Sequence, residues 1–158
     1  MNIFTVSLFG HREIDDLREL ENKMIPILKK LIQTKSYVSF VIGRNGEFDE
    51  YAASVIKRIQ KEKGKEYCDI TLVLPYAVAA IDDYGKYYDS VIIPESVEGV
   101  FPKSALVLKN RWMIERSDLV IVYVKRENGG AYTAMKYAER MQKRVINLCK
   151  LPLESYDM

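Results

Sequence analysis

The stretch Asp118-Leu119-Val120-Ile121-Val122-Tyr123-Val124-Lys125-Arg126-Glu127-Asn128-Gly129-Gly130-Ala131-Tyr132-Thr133 decides the fold. After Asp118 every side chain through Val124 is apolar, aromatic or β-branched, the pattern of a strand. Gly129-Gly130 then opens a helix that carries Ala134, Met135, Ala138 and Met141 on one face. A fully apolar strand suits a sheet covered on both faces, and a helix directly after it suits a parallel sheet.

The same alternation extends outward in both directions. Upstream, Asn2 to Phe9 reads as a strand, and Ile14, Leu17, Leu20, Met24, Ile25, Leu28 and Leu31 recur at helical spacing, with Pro26 as a point of kink or break. Tyr37 to Ile42 is a second strand. Phe48, Ala52, Val55, Ile56 and Ile59 mark a helix that stops before Gly64. Asp69 to Leu74 is a third strand and Ser90 to Ile93 a short fourth. Between them Asp82-Asp83-Tyr84-Gly85 reads as a turn or helix edge. Leu106, Asn110, Met113 and Ile114 carry the next helix, and Arg144 to Leu148 is the last strand. The residues therefore predict an α/β fold with a mostly parallel sheet of five to six strands. One domain spans 1–150 and a C-terminal tail spans 151–158. The place of Ser90 to Ile93 in the strand order stays open.

The chain has 158 residues, enough for one domain that buries about 70% of its surface. Hydrophobic residues make up 48%, so the core needs no metal or disulfide support. Cys68 and Cys149 read as unpaired structural thiols. With His11 the sole histidine, histidine-rich metal sites are excluded, and neither a metal nor a cofactor is expected. Lys and Arg total 24 against 22 acids, a net charge of +2. That balance gives no footprint for long nucleic acid or for anionic membrane, so neither is expected as a partner. The N-terminus lacks a signal-peptide pattern, and the longest apolar run, Leu72 to Ile81, is broken by Pro75. The expectation is a cytoplasmic protein, and apolar helix faces leave room for a homodimer.

In an open parallel sheet ligands sit outside the carboxyl ends of the strands, so the loops there carry the functional reading. The first strand leads into Gly10-His11-Arg12, the second into Gly43-Arg44-Asn45-Gly46-Glu47-Phe48-Asp49, and the strand of the opening stretch into Lys125 to Gly130. Arginine recognises phosphate or carboxylate in a planar, bidentate way, and glycine lets backbone amides approach an anion. The helix after Gly129-Gly130 has no acid in its first turn, so its amides and the Thr133 hydroxyl suit an anion. The helix after Gly46 begins with Glu47, Asp49 and Glu50, which would repel phosphate and welcome a sugar hydroxyl or a developing cation. These acids equally serve as dipole complement alone. His11 reads as a hydrogen-bonding turn residue. Tyr76, Tyr84, Tyr87 and Tyr88 read as packing residues, with an aromatic wall for a base as the alternative. No G-x-G-x-x-G and no G-x-x-x-x-G-K-[ST] is present.

Taken together, Gly10-His11-Arg12, Gly43 to Asp49, Lys109-Asn110-Arg111-Trp112-Met113 leading to Ser117-Asp118, and Gly129-Gly130-Ala131-Tyr132-Thr133 resemble the SLOG superfamily. That group includes the cytokinin-activating LOG phosphoribohydrolases, relatives that go by the name of lysine decarboxylases, DNA-processing proteins and small uncharacterised bacterial proteins. The resemblance covers residues 2 to 148. It implies a Rossmann-like three-layer α/β/α sandwich and a nucleotide or nucleotide-derived ligand. The LOG pattern P-G-G-x-G-T-x-x-E keeps Thr133 here but meets Asn128, Tyr132 and, at the catalytic glutamate, Lys136.

Three functional readings follow. In the first, a nucleotide-type small molecule is sensed or carried, with Gly10, Arg12, Gly43, Arg44, Gly46, Asn110, Gly129, Gly130 and Thr133 as the ligand- and phosphate-binding set. In the second, the chain is an N-glycosidase or phosphoribohydrolase in which Glu47 or Asp49 replaces the absent LOG glutamate. In the third, it is a non-catalytic protein-interaction module.

Overall fold

The computed structural model describes residues 2–151, so the tail expected over 151–158 lies, from 152 onward, outside the described residues. Six strands form one sheet: β1 (Ile3–Gly10), β2 (Tyr37–Ile42), β3 (Cys68–Val73), β4 (Ser90–Ile92), β5 (Leu119–Tyr123) and β6 (Arg144–Asn147). The helices are α1 (Leu17–Thr34), α2 (Glu47–Lys63), α3 (Ile81–Tyr87), α4 (Pro102–Glu115) and α5 (Gly130–Arg140). The strand order is β4-β3-β2-β1-β5-β6, and all the pairings are parallel. The short fourth strand thus sits at an edge, beside β3, with Leu72 opposite Val91.

Alternation along the strands divides the core in two. Val6, Leu8, Phe40, Ile42, Ile121 and Tyr123 pack with the inner faces of α1 and α2. Val120, Val122 and Val124 pack with Met113, Ile114, Ala134 and Ala138 of α4 and α5 on the opposite face. The result is the three-layer, Rossmann-like α/β/α arrangement expected from the sequence, with β5 buried along its whole length.

Helix α1 starts where the Asp16 side chain accepts the Glu19 amide at 3.0 Å, and it runs through Pro26 without a break. A proline inside a helix costs about 3 kcal/mol. Leu20, Met24, Ile27, Leu28 and Leu31 are buried on one face, and each contributes about 1.5–3 kcal/mol, which outweighs that cost. Helix α4 is anchored at its far end to the sheet. There Ser117 Oγ lies 2.5 Å from Ser7 Oγ and donates to the Met113 carbonyl at 2.8 Å. Both cysteines are free thiols, Cys68 buried and Cys149 half-buried. Among the described residues, no helix is long and apolar enough to cross a membrane.

Candidate functional site

The strand order reverses between β1 and β5, the point where an open α/β sheet leaves a crevice at its carboxyl edge. A cavity of about 380 Å³ lies there, lined among others by Gly10, His11, Arg12, Asn45, Asp49, Asn110, Arg126, Gly129 and Gly130. A second cavity of about 250 Å³ continues from it between α4 and α5. The two share Arg12, Leu106, Asn110 and Gly130, so they form one groove.

The floor is built by close packing of backbone. A Cβ on Gly10 would meet the Phe48 ring at 2.1 Å, so glycine lets α2 approach the end of β1. Gly46 packs against the Arg12 backbone, and the Glu47 amide donates to the Arg12 carbonyl at 2.8 Å. His11 is buried; its Nε2 accepts the Lys125 amide at 2.8 Å and, more weakly, the Arg126 amide at 3.4 Å. An imidazole that accepts there is neutral. Burial, with Arg126 and Lys125 close by, holds its pKa below the ordinary histidine range. His11 is therefore the turn residue the sequence suggested, and it fastens the loop that carries Arg126.

Under the floor lie two buried ionisable groups that spacing did not reveal. Asp49 and Lys109 are both buried. Burial raises the Asp49 carboxyl above its usual range, opposed by Lys109 and by the Asn45 amide, which donates to Oδ2 at 2.9 Å. Burial likewise lowers Lys109 to about 8, with Asp49 pulling the other way. A Cβ on Gly43 would stand 2.5 Å from Lys109 Nζ, so Gly43 makes room for that ammonium. Asp49 thus lines the crevice with its carboxyl electrostatically coupled to Lys109.

The structure brings Gly10, Arg12, Asp49, Asn110, Gly129 and Gly130 to the crevice, with Thr133 further along the groove between α4 and α5. It turns Arg44 and Glu47 elsewhere. Arg44 Nη2 pairs with Glu50 at 3.1 Å, its Nη1 donates to the Tyr88 hydroxyl at 3.3 Å, and its guanidinium lies over the Tyr84 ring. Glu47 accepts the Ile14 amide at 3.3 Å and lines a separate shallow depression with Leu17, Glu50, Tyr51 and Ser54. Thr133 donates its hydroxyl to the Gly129 carbonyl at 3.0 Å. Tyr84, Tyr87 and Tyr88 pack edge-to-face on one another beside Arg44.

Gly129 has φ +89°, a conformation that favours glycine, and a Cβ on either Gly129 or Gly130 would meet open space. Gly129, Gly130 and Ala131 line the crevice, so the first turn of α5 borders it. Around the groove stand four exposed cations, Arg12, Lys103, Arg111 and Arg126, and no ion pair among the described residues includes them. Three of the four, Lys103, Arg111 and Arg126, are additions to the sequence-derived set. Arg126 carried a signal, since it sits in the loop directly after β5. Lys103 and Arg111 belong to the face of α4 turned to α5, which only the packing defines. Arg111 also lies over the Tyr137 ring, 4.9 Å from its centroid. Among the described residues, no group of three or more His, Cys, Asp or Glu side chains is placed to hold a metal.

No protein-family model matches the sequence, and no curated protein matches it. Solved structures match the fold. DNA processing protein A from Streptococcus pneumoniae superposes with TM-score 0.65 at 15% identity, over 90% of this chain and 49% of that one. DNA processing protein A from Helicobacter pylori, whose structure describes a single-stranded DNA binding mode, superposes with TM-score 0.63 at 15% identity, over 90% of this chain and 63% of that one. The chain thus spans about half to under two thirds of the length of the neighbours it matches. The Helicobacter neighbour overturns two expectations, a nucleotide-type small molecule as the ligand and the exclusion of long nucleic acid. The physical reason lies in the charge argument: a net charge averages the whole surface, whereas four cations here gather on one open groove. The fold is the Rossmann-like domain seen in DNA processing protein A.

Proposed function

We propose that this chain is a SLOG-type domain that binds single-stranded DNA along the groove running from the β1/β5 crevice into the cleft between α4 and α5. The observation that carries the reading is the row Arg126, Arg12, Lys103 and Arg111 along a continuous groove, free of carboxylate partners among the described residues. Single strands are held by a positive groove that follows the phosphates, with aromatic faces for bases. Arg12, Arg126 and the amides at Gly129-Gly130 serve the phosphates here. Leu106, the Tyr137 ring and Arg111 line the path of the bases. The single-stranded DNA bound by the Helicobacter pylori neighbour supports the same class of partner. The departures from the LOG pattern at Asn128, Tyr132 and Lys136 fit a binding domain without glycosidase chemistry.

Fluorescence anisotropy with a short labelled single strand tests the proposal. Arg12→Ala and Arg126→Ala are each expected to weaken binding by about tenfold or more, the loss of one charge-assisted contact. A protein that binds no single strand, or whose affinity ignores both substitutions, contradicts the reading.

A further inference from the structure

The crevice at the carboxyl edge of β1 and β5 has a floor and a rim of opposite chemistry. Its buried lining residues are Phe9, His11 and Asp49, while Arg12, Arg126 and Gly130 on the rim are exposed. The floor is closed. Phe48 fills the space beside Gly10, Gly46 rests on the Arg12 backbone, and the depression that holds Glu47 shares no lining residue with the crevice. A volume of about 380 Å³ sits at the small end of the roughly 300–1,000 Å³ of ligand pockets, room for one nucleotide unit but not for a strand passing through.

A strand that leaves a closed pocket through the α4–α5 cleft can place only a chain end in that pocket, and the two kinds of end meet the floor differently. Asp49 lines the crevice with 7% of its surface open. Its Oδ2 accepts the Asn45 amide at 2.9 Å, and that amide and Lys109 both favour the carboxylate form. A hydroxyl end donates a hydrogen bond to such a group. A phosphate end, chiefly a dianion at neutral pH, sets like charge against it where solvent screens little. In a hydroxyl-ended strand the first phosphate lies one sugar away from the end, which brings it toward Arg12 and Arg126 on the rim.

Resting on the single-stranded DNA reading above, we infer that the crevice takes the end of the bound strand and, through Asp49, selects an end with a free hydroxyl over one with a phosphate. A free 3′ end and an unphosphorylated 5′ end share this chemistry. The rest of the strand leaves across Arg12 and Gly130, which border both cavities. A basic groove without such a floor makes the opposite choice, because a terminal phosphate adds charge for Arg12, Lys103 and Arg126 to hold.

The test measures affinity for oligo(dT) strands of one length, closed into a circle or linear with hydroxyl at both ends, phosphate at both, or phosphate at the 3′ or 5′ end alone. The strand with two hydroxyl ends is expected to bind about tenfold or more tighter than the doubly phosphorylated strand and the circle, the worth of one hydrogen bond to a charged group. The single phosphate that weakens binding identifies the end that is read. Asp49→Asn removes the charge and should bring the doubly phosphorylated strand within about twofold of the hydroxyl-ended one. A thermal melt confirms that this variant folds, and the comparison of strands on the wild type stands without it. Equal affinities for circle and linear strands, or tighter binding of phosphorylated ends, overturn the end site and leave the single-stranded DNA reading standing. A preference that the folded Asp49→Asn protein keeps in full does the same. Absence of binding to every strand overturns both.

Discussion

At the scale of single residues, His11 links the groove to proton concentration. Its neutral Nε2 holds the Lys125 amide, and its pKa is pushed below the ordinary value of 6.5 by burial and by Arg126 and Lys125. A histidine with a lowered folded pKa binds fewer protons folded than unfolded, so stability rises with pH through that window. The contribution is complete above about 6.5 and is lost as pH falls through the folded value. Thermal unfolding from pH 7.5 down to pH 5 should therefore show a loss in the wild type that His11→Gln lacks, since a glutamine carbonyl accepts the amide at any pH. Parallel curves for the two proteins would remove His11 from that role. His11 was legible in the sequence because a histidine at a strand end has turn chemistry available to it. Lys109 was not legible: a lysine within a helix reads as solvent-facing, and only the approach of Gly43 and Asp49 makes it internal. Glu47 reads as a site acid by position, yet its carboxylate is spent on the Ile14 amide.

Among the elements, the seat of α2 on β1 controls the shape of the crevice. Phe48 rests where a side chain on Gly10 would be, stacked at 6.4 Å on Tyr123 of β5, so three elements meet at one contact. Gly10→Ala forces the ring aside and is expected to cost about 1–3 kcal/mol, a fall in Tm of several degrees for a chain of this size. An unchanged melting temperature would show that α2 is not wedged there. Five of the strands were legible because their apolar runs are long or end at glycine or a polar turn. The fourth was legible as a strand but not in its neighbour, since three residues at an edge carry too little pattern to select a partner. Pro26 marked a point of kink or break; the helix does not break there, because the buried face of α1 continues on both sides of it. In α4 the sequence marked the helix by Leu106, Asn110, Met113 and Ile114; the buried face is Ala105, Lys109, Met113 and Ile114, while Leu106 and Asn110, the latter expected as a ligand residue, line the groove.

For the whole molecule, the parallel sheet and its reversal between β1 and β5 place the groove; the alternation of strands and helices carried the parallel sheet in the sequence, while the reversal is defined only by the folded strand order. The charge of the groove was not readable in the same way. Arg12 and Arg126 lie more than a hundred residues apart and Lys103 and Arg111 lie on a helix between them, so their convergence exists only after folding. A net charge of +2 hides such a row because acids elsewhere cancel it. The most direct measurement of the central claim is the salt dependence of binding to a single strand. If Arg12, Lys103 and Arg126 each meet a phosphate, log K should fall with log salt at a slope near −2, and alanine at any of the three should flatten it by about 0.7. Affinity that is absent, or that is indifferent to salt and to these three side chains, would contradict the account.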